Sequence, residues 1–327
     1  MGFLLPALTR ERFETQRDVV LNERRQSYEN RPYGMVMMAL SAALYPPDHP
    51  YSWMTIGSAE DIRAMQLEDV QEFFRTYYHP SNASLVLAGD IDTERAFELA
   101  EAYFGEIPGG VRPQPVSNGA MLLSEQRLLL EDRVELPRLY LAWHSPAMFA
   151  ADDAEVDLLG DLLANGKTSR LYKTLVYDLR IALDVSGYQS SREIGSFFLL
   201  VATAAPGHTL SELQTRIDDE IRRVADSGPR VEEMERSMAQ AEAHFMYRLQ
   251  TVGGFGGKSD QLNAYNVLKG DPGFFAADLD RYRNATRDSL QAAAQAHLPL
   301  DRRVVLSVIP RGQHALAIDG STPVSVS

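Results

Sequence analysis

The stretch ASLVLAGDI, Ala83–Ile91, is a run of small and branched apolar residues closed by Gly89 and Asp90. Such a run, short and bounded by turn residues, predicts a buried strand. It follows the helical patterns SAEDIRAMQ and LEDVQEFFRTYY, the first capped by Ser58 with acidic residues in its opening turn, and precedes TERAFELAEAYFG. A second apolar run, RVVLSVIP at Arg303–Pro310, closes the other half of the chain in the same way. Val86 and Val305 are 219 positions apart, and Phe13-Glu14 and Met234-Glu235, each in a long helical pattern, are 221 apart. A shared order of helix, glycine-containing break, further helix and final strand argues for two related halves.

Working outward, helix 1 is predicted to start at a Thr9 cap and to place Phe13, Gln16, Val19, Val20, Glu23 and Ser27 on one face, with Asn30, Pro32 and Gly34 ending it. A carboxylate on such a face needs a partner, because burying its charge alone is costly. An ion pair with Arg17, Arg24 or Arg25 is one solution, and a metal ion is another. The helix MVMMALSAALY leads into the turn-rich PPDHPYSW. Residues 107–119, IPGGVRPQPVSNG, are too rich in proline and glycine for regular structure. Beyond them lie predicted strands QRLLLED, RLYLAWHS, DVSGYQSS and GSFFLLVATAA, a helical run over 152–176, a helix capped by Thr209 or Ser211, and a long helix from Val231 that breaks at GGFGG. The last 15 residues are expected to be mobile.

Composition sets limits on function. The 327 residues carry 45 acidic against 32 basic side chains, a formal charge of −13, which disfavours nucleic acid and anionic membranes as partners. No apolar run is long enough to span a bilayer. The absence of cysteine removes disulfides and thiolate chemistry, leaving histidine and carboxylates as strong metal ligands. GGFGGKSD does not make a phosphate loop, since Val252 stands where the first glycine is required and a helix precedes it.

RFETQRDVVLNERRQSYENRPYG (Arg12–Gly34), HPYSWMTIGSAEDIRAMQLEDVQEFFRTYYHPSNASLVLAGDID (His49–Asp92), ELAEAYFGEIP (Glu98–Pro108) and GKTSRLYKTLV (Gly166–Val176) resemble, in order and spacing, the insulinase/pitrilysin family of zinc peptidases, most nearly bacterial members similar to mitochondrial processing peptidase. The resemblance implies an α+β fold of two homologous domains, each a mixed or antiparallel sheet with helices on one side, facing each other as a clamshell. The first domain is expected to be incomplete, short by roughly 100 residues at its front, with Met1 internal to the full protein. The expected segments are 1–107 (carboxy-terminal part of the zinc-binding domain), 108–119 (linker), 120–312 (second domain) and 313–327 (tail).

By the same resemblance Glu23 is the third zinc ligand, completing a set whose two histidines and general base come from an H-x-x-E-H motif. Gln16, two turns earlier, stands where many relatives carry a second acid and is expected to support the site. The seven histidines, His49, His79, His144, His208, His244, His297 and His314, nowhere have the paired spacing. Zn2+ is therefore expected in the complete protein and not in this chain, which is expected to be inactive alone. His244 falls at the duplicated counterpart of Glu23, near Glu242, and reads as a helix histidine. An arginine and a tyrosine that reach substrate in active relatives align with Tyr177 and Asp184, with Arg180 and Tyr188 the nearby substitutes. The implied substrate is a peptide or unfolded protein. The alternative function is a non-catalytic or structural partner in a heteromer, and a homo- or heterodimer is implied as a possible state. Periplasmic export is expected for the complete bacterial protein.

Overall fold

The computed structural model describes residues 7–114, 116 and 119–326. It contains helices α1 (Arg10–Arg24), α2 (Val36–Leu44), α3 (Ala59–Ala64), α4 (Leu67–Tyr77) and α5 (Thr93–Phe104), then strands β1 (Gln126–Asp132) and β2 (Arg138–Ser145) and helix α6 (Asp153–Ala164). There follow β3 (Ala182–Ser190), β4 (Ser196–Ala204), α7 (Leu210–Ser227), α8 (Val231–Arg248), α9 (Lys258–Lys269), α10 (Phe275–Arg283), α11 (Arg287–His297), β5 (Val304–Pro310) and the short β6 (Thr322–Pro323). Two compact units form: Met1–Glu23, Ser58–Val116 and Glu242–Leu279 in one, and Arg24–Gly57, Ser117–Ala241 and Asp280–Ser327 in the other. We call them the helical unit and the sheet unit. Packing groups the residues differently from the 1–107 and 120–312 segments, which concern the family's duplicated domains; residues 115, 117 and 118 of the expected linker lie outside the described residues.

The sheet unit carries one mixed sheet in the order β3-β4-β2-β5-β1-β6. β4 and β5 both flank β2 antiparallel, with Leu141 opposite Leu200 on one side and Val305 on the other, while β1 runs parallel to β5 from Gln126↔Val304 to Asp132↔Pro310. Every residue of β5 is buried and all of β4 except Val201, the continuous apolar pattern of strands covered on both faces. One face packs Leu139, Leu141, Trp143, Leu200 and Val305 with α6, α7 and α11 residues such as Leu159, Leu162, Leu213 and Leu290. The other packs Tyr140, Phe197, Leu199 and Leu306 under α2 through Val36, Leu40 and Leu44. The expected mixed sheet is therefore present in this unit, with α6, α7 and α11 of the 120–312 segment on one face and the almost wholly apolar α2, from the 1–107 segment, over the other.

Local signals place the helices. Thr209 and Glu212 form a reciprocal box at the start of α7, the Thr209 N–H donating to Glu212 Oε2 at 2.8 Å and the Glu212 N–H to Thr209 Oγ1 at 3.1 Å. Ser58 accepts from the Asp61 N–H at 3.0 Å. Between α8 and α9 the glycines Gly254 and Gly256 take positive φ, 79° and 78°, so the predicted break is real.

Two expectations fail. Residues 83–88 form no regular element and pair with no strand among the described residues, and Leu85 and Leu87 are 58% and 50% exposed. A strand needs neighbours for its N–H and C=O groups, and here Ala83 N–H bonds only back to the Pro80 carbonyl at 3.2 Å, while Ser84 Oγ donates to Asn263 Oδ1 at 2.6 Å and accepts from Asn266 Nδ2 at 3.0 Å. The carboxy-terminal stretch is not mobile but packed, with Ile318 buried, β6 pairing parallel to β1, and the Val324 N–H donating to the Leu129 carbonyl at 2.9 Å.

Candidate functional site

Helix α1 begins as predicted, the Arg12 N–H facing Thr9 Oγ1 at 3.4 Å. Of its expected inner face only Phe13 is buried; Gln16, Val19 and Glu23 are all exposed. Glu23 has no ion pair among the described residues, and in water it needs none. The buried charge is its neighbour Arg24, 1% exposed, whose Nε lies 3.4 Å from Glu29 Oε1 and whose Nη1 reaches Met38 Sδ at 3.4 Å. After Arg24 the helix widens into a π-turn over Arg25–Glu29, the Asn30 N–H bonding the Arg25 carbonyl at 2.8 Å. That turn changes the helical phase, which a regular period read from sequence cannot anticipate.

Gln16 and Glu23 therefore share an open helix face. Among the described residues no group of three His, Cys, Asp or Glu side chains could hold a metal ion. A single carboxylate is one quarter of a tetrahedral zinc shell, so these residues do not constitute a zinc site and no reaction step is derived through one.

The four residues around the aligned arginine and tyrosine are not assembled into a pair. Tyr177 is exposed in a second π-turn, Tyr172–Asp178, and Arg180 is exposed with φ 55°. Asp184 and Tyr188 share one face of β3; Asp184 Oδ1 accepts from Thr203 Oγ1 at 3.0 Å, and Thr203 accepts from Arg138 Nε at 2.7 Å. Burial raises the Tyr188 hydroxyl above its ordinary pKa, with Arg192 pulling it partly back. His244 is exposed on α8, away from any metal-binding cluster among the described residues.

The sequence reading missed a buried aromatic cluster in the sheet unit. Tyr45 stacks on His49 with ring centres 4.7 Å apart and meets the edges of Tyr51 at 5.7 Å and His144 at 5.2 Å. Burial pushes the Tyr45 hydroxyl up to about 12 and holds the His144 imidazole below its ordinary value, against a hydrogen bond to the Leu44 backbone. The only signal in the sequence was His49 in PPDHPYSW, read as an ordinary loop.

Comparison with known proteins decides the family. Residues 64–241 match the family description "Peptidase M16 inactive domain". The chain belongs to the M16 peptidase family. Relatives of this chain include the zinc protease PqqE of Helicobacter pylori, 27% identical over 271 residues, covering 80% of this chain and 60% of that protein. The chain thus spans less than two thirds of that relative's length. Among solved structures, a protease from Helicobacter pylori superposes with a TM-score of 0.84 at 24% identity, over 92% of this chain and 73% of that one. A peptidase M16 inactive domain from Pseudomonas fluorescens superposes at 0.79 and 17% identity, over 97% and 73%. Both confirm the fold. No described helix is long and apolar enough to cross a membrane.

Proposed function

We propose that this chain acts as part of an M16 zinc endopeptidase, inactive by itself, in which Glu23 supplies one oxygen ligand to a zinc ion whose histidines and general base lie on an H-x-x-E-H segment outside these residues. The observation that carries the reading is the exposed Glu23 carboxylate, free of ion pairs among the described residues on a long ordered helix. Gln16 on the same helix would hydrogen-bond a ligand without titrating. The substrate class is a peptide or unfolded chain. The M16 match and the zinc-protease names of the relatives support this reading.

The exposed apolar side chains of the helical unit, among them Phe73, Tyr77, Leu85, Leu87, Phe97 and Tyr103, support a unit that works in a larger assembly. The experiment is to co-express the chain with an M16 segment carrying H-x-x-E-H and measure bound zinc and peptide hydrolysis, with Glu23→Gln as control. One zinc per complex, lost in Glu23→Gln, is expected; a complex that binds zinc equally in the variant would overturn the role of Glu23. The second reading, a non-catalytic partner subunit, draws on Tyr177 and Asp184 standing where active relatives carry arginine and tyrosine. A zinc-loaded complex that cleaves no peptide would favour it.

A further inference from the structure

Helix α6 carries Asp153, Asp157 and Asp161 four residues apart, so the three side chains follow one another along a single helix face. The first is fully engaged. Asp153 Oδ2 accepts from the Phe149 N–H at 2.8 Å and from both terminal nitrogens of Arg281 at 3.1 Å, while Oδ1 accepts from Gln189 Nε2 at 2.7 Å and from Ser191 Oγ at 2.9 Å. Such a set, with a guanidinium in it, suits a charged carboxylate. Asp161 Oδ1 accepts from Asn165 Nδ2 at 2.8 Å. Between the two, Asp157 is partly buried and meets a phenol: the Tyr282 hydroxyl donates to Asp157 Oδ2 at 2.6 Å.

A phenol brings no positive charge, so an ionised Asp157 stands in one row with a like charge on either side. Burial, with Asp153 and Asp161 adding to it, pushes this carboxyl up to about 7, against the Tyr282 bond and the more distant pull of Arg281. The surroundings are thus mixed. α6 supplies the two aspartates and α10 supplies Tyr282 and Arg281; α11 adds His297, whose Nε2 lies 3.1 Å from Asp152 Oδ2, and on the β3 side Gln189 and Ser191 are neutral. Tyr282 and Arg281 tie the end of α10 to α6. That end is also where the chain passes from the helical unit to the sheet unit, between Leu279 and Asp280.

We propose that Asp157 and Tyr282 form a proton-operated latch, which holds Asp280–Arg283, the last turn of α10, against α6 while the carboxyl keeps its proton and frees it once the carboxyl ionises. Ionisation strengthens the Tyr282 bond itself, but one hydroxyl does not offset lost hydration and two like neighbours. Opening the turn returns the carboxylate to water. The opening equilibrium is lowest below the ordinary aspartate value of 3.8, rises with pH from there to about 7, and levels off above it, where the folded carboxyl is ionised as well. The latch lies in the sheet unit and does not depend on the peptidase reading.

The test is amide exchange on the whole chain, followed by mass spectrometry from pH 5 to pH 8 and corrected for the intrinsic rate at each pH. Opening of Asp280–Arg283 is expected to rise at least about tenfold over that range, and to exceed throughout the opening of β5, whose amides report global unfolding. Asp157→Asn should abolish the rise and hold the turn near its low-pH level. Tyr282→Phe should open the turn at every pH and keep a rise, since burial and the two carboxylates remain, which separates lost packing from lost titration. Asp161→Asn removes one like charge and should move the levelling-off to lower pH, a readout that stands even if Asp157→Asn does not fold. A pH-independent opening, a rise that survives Asp157→Asn, a levelling-off unmoved by Asp161→Asn, or exchange of Asp280–Arg283 only together with β5 would overturn the latch.

Discussion

Ser84–Gly89 and Val304–Ile309 have nearly the same apolar pattern, SLVLAG and VVLSVI, and opposite fates. In the sheet unit Val304, Val305 and Leu306 are fully buried, with β2 on one side and β1 on the other. In the helical unit the corresponding run joins no sheet among the described residues and is half exposed at Leu85 and Leu87, tethered by Ser84 to α9. The difference teaches that a strand is a property of a pair: sequence sets the extended backbone and the apolar face, but neighbouring chain supplies the hydrogen bonds and the cover.

The widest gap between the two runs should appear in amide exchange. Residues 304–309 are expected to exchange only on global opening, several kcal/mol above the native state, while 83–88 exchange with almost no protection. Comparable protection in both would break the contrast. Next in size, Leu306→Ala should cost about 2–5 kcal/mol through transfer loss and a cavity, whereas Leu87→Ala should stay within about 0.5 kcal/mol. Urea unfolding of the two variants gives both numbers, and a large loss at Leu87 would mean that this residue is buried in solution.

A partly buried acid sharpens the picture of the sheet unit. Asp157 on α6 is pushed up to about 7 by burial, with Asp153 and Asp161 adding to the shift and the Tyr282 hydroxyl, 2.6 Å away, opposing it. The folded carboxyl keeps its proton to about 7 while the unfolded one releases it near 3.8, so stability falls as pH rises through that window. Asp157→Asn should flatten the dependence and raise stability at pH 8 by roughly 1–3 kcal/mol. A thermal melt series from pH 4 to pH 8 checks it, and an unchanged slope would remove Asp157 as the cause. Smallest of the set, Thr209→Ala should cost about 1 kcal/mol by opening the box at the start of α7, measured by the same unfolding.

Much of this was legible in the chain itself. The five principal strands of the sheet fall on runs that alternate or persist in apolar character, Thr9, Ser58 and Thr209 cap where a short polar side chain precedes a helical period, and GGFGG breaks a helix because two of its glycines adopt a left-handed backbone. The motif order in Arg12–Gly34 and His49–Asp92 pointed to the M16 family that the match over 64–241 establishes. These are local signals, carried within a few residues of where they act.

What the sequence could not decide is whatever depends on distant neighbours. The face of α1 was read as buried and is open, because burial belongs to the partner surface and not to the period; one residue on, Arg24 is enclosed by contacts to Glu29 and Met38. The tail is packed because β1 offers it a free edge. His49 and His144, 95 positions apart, meet across Tyr45 only because α2 lies over the face that β2 and β4 share. Sequence determined the elements and the family; tertiary structure alone decided which apolar runs found partners and which polar atoms did not, since both are settled by what the fold brings within hydrogen-bonding and van der Waals reach.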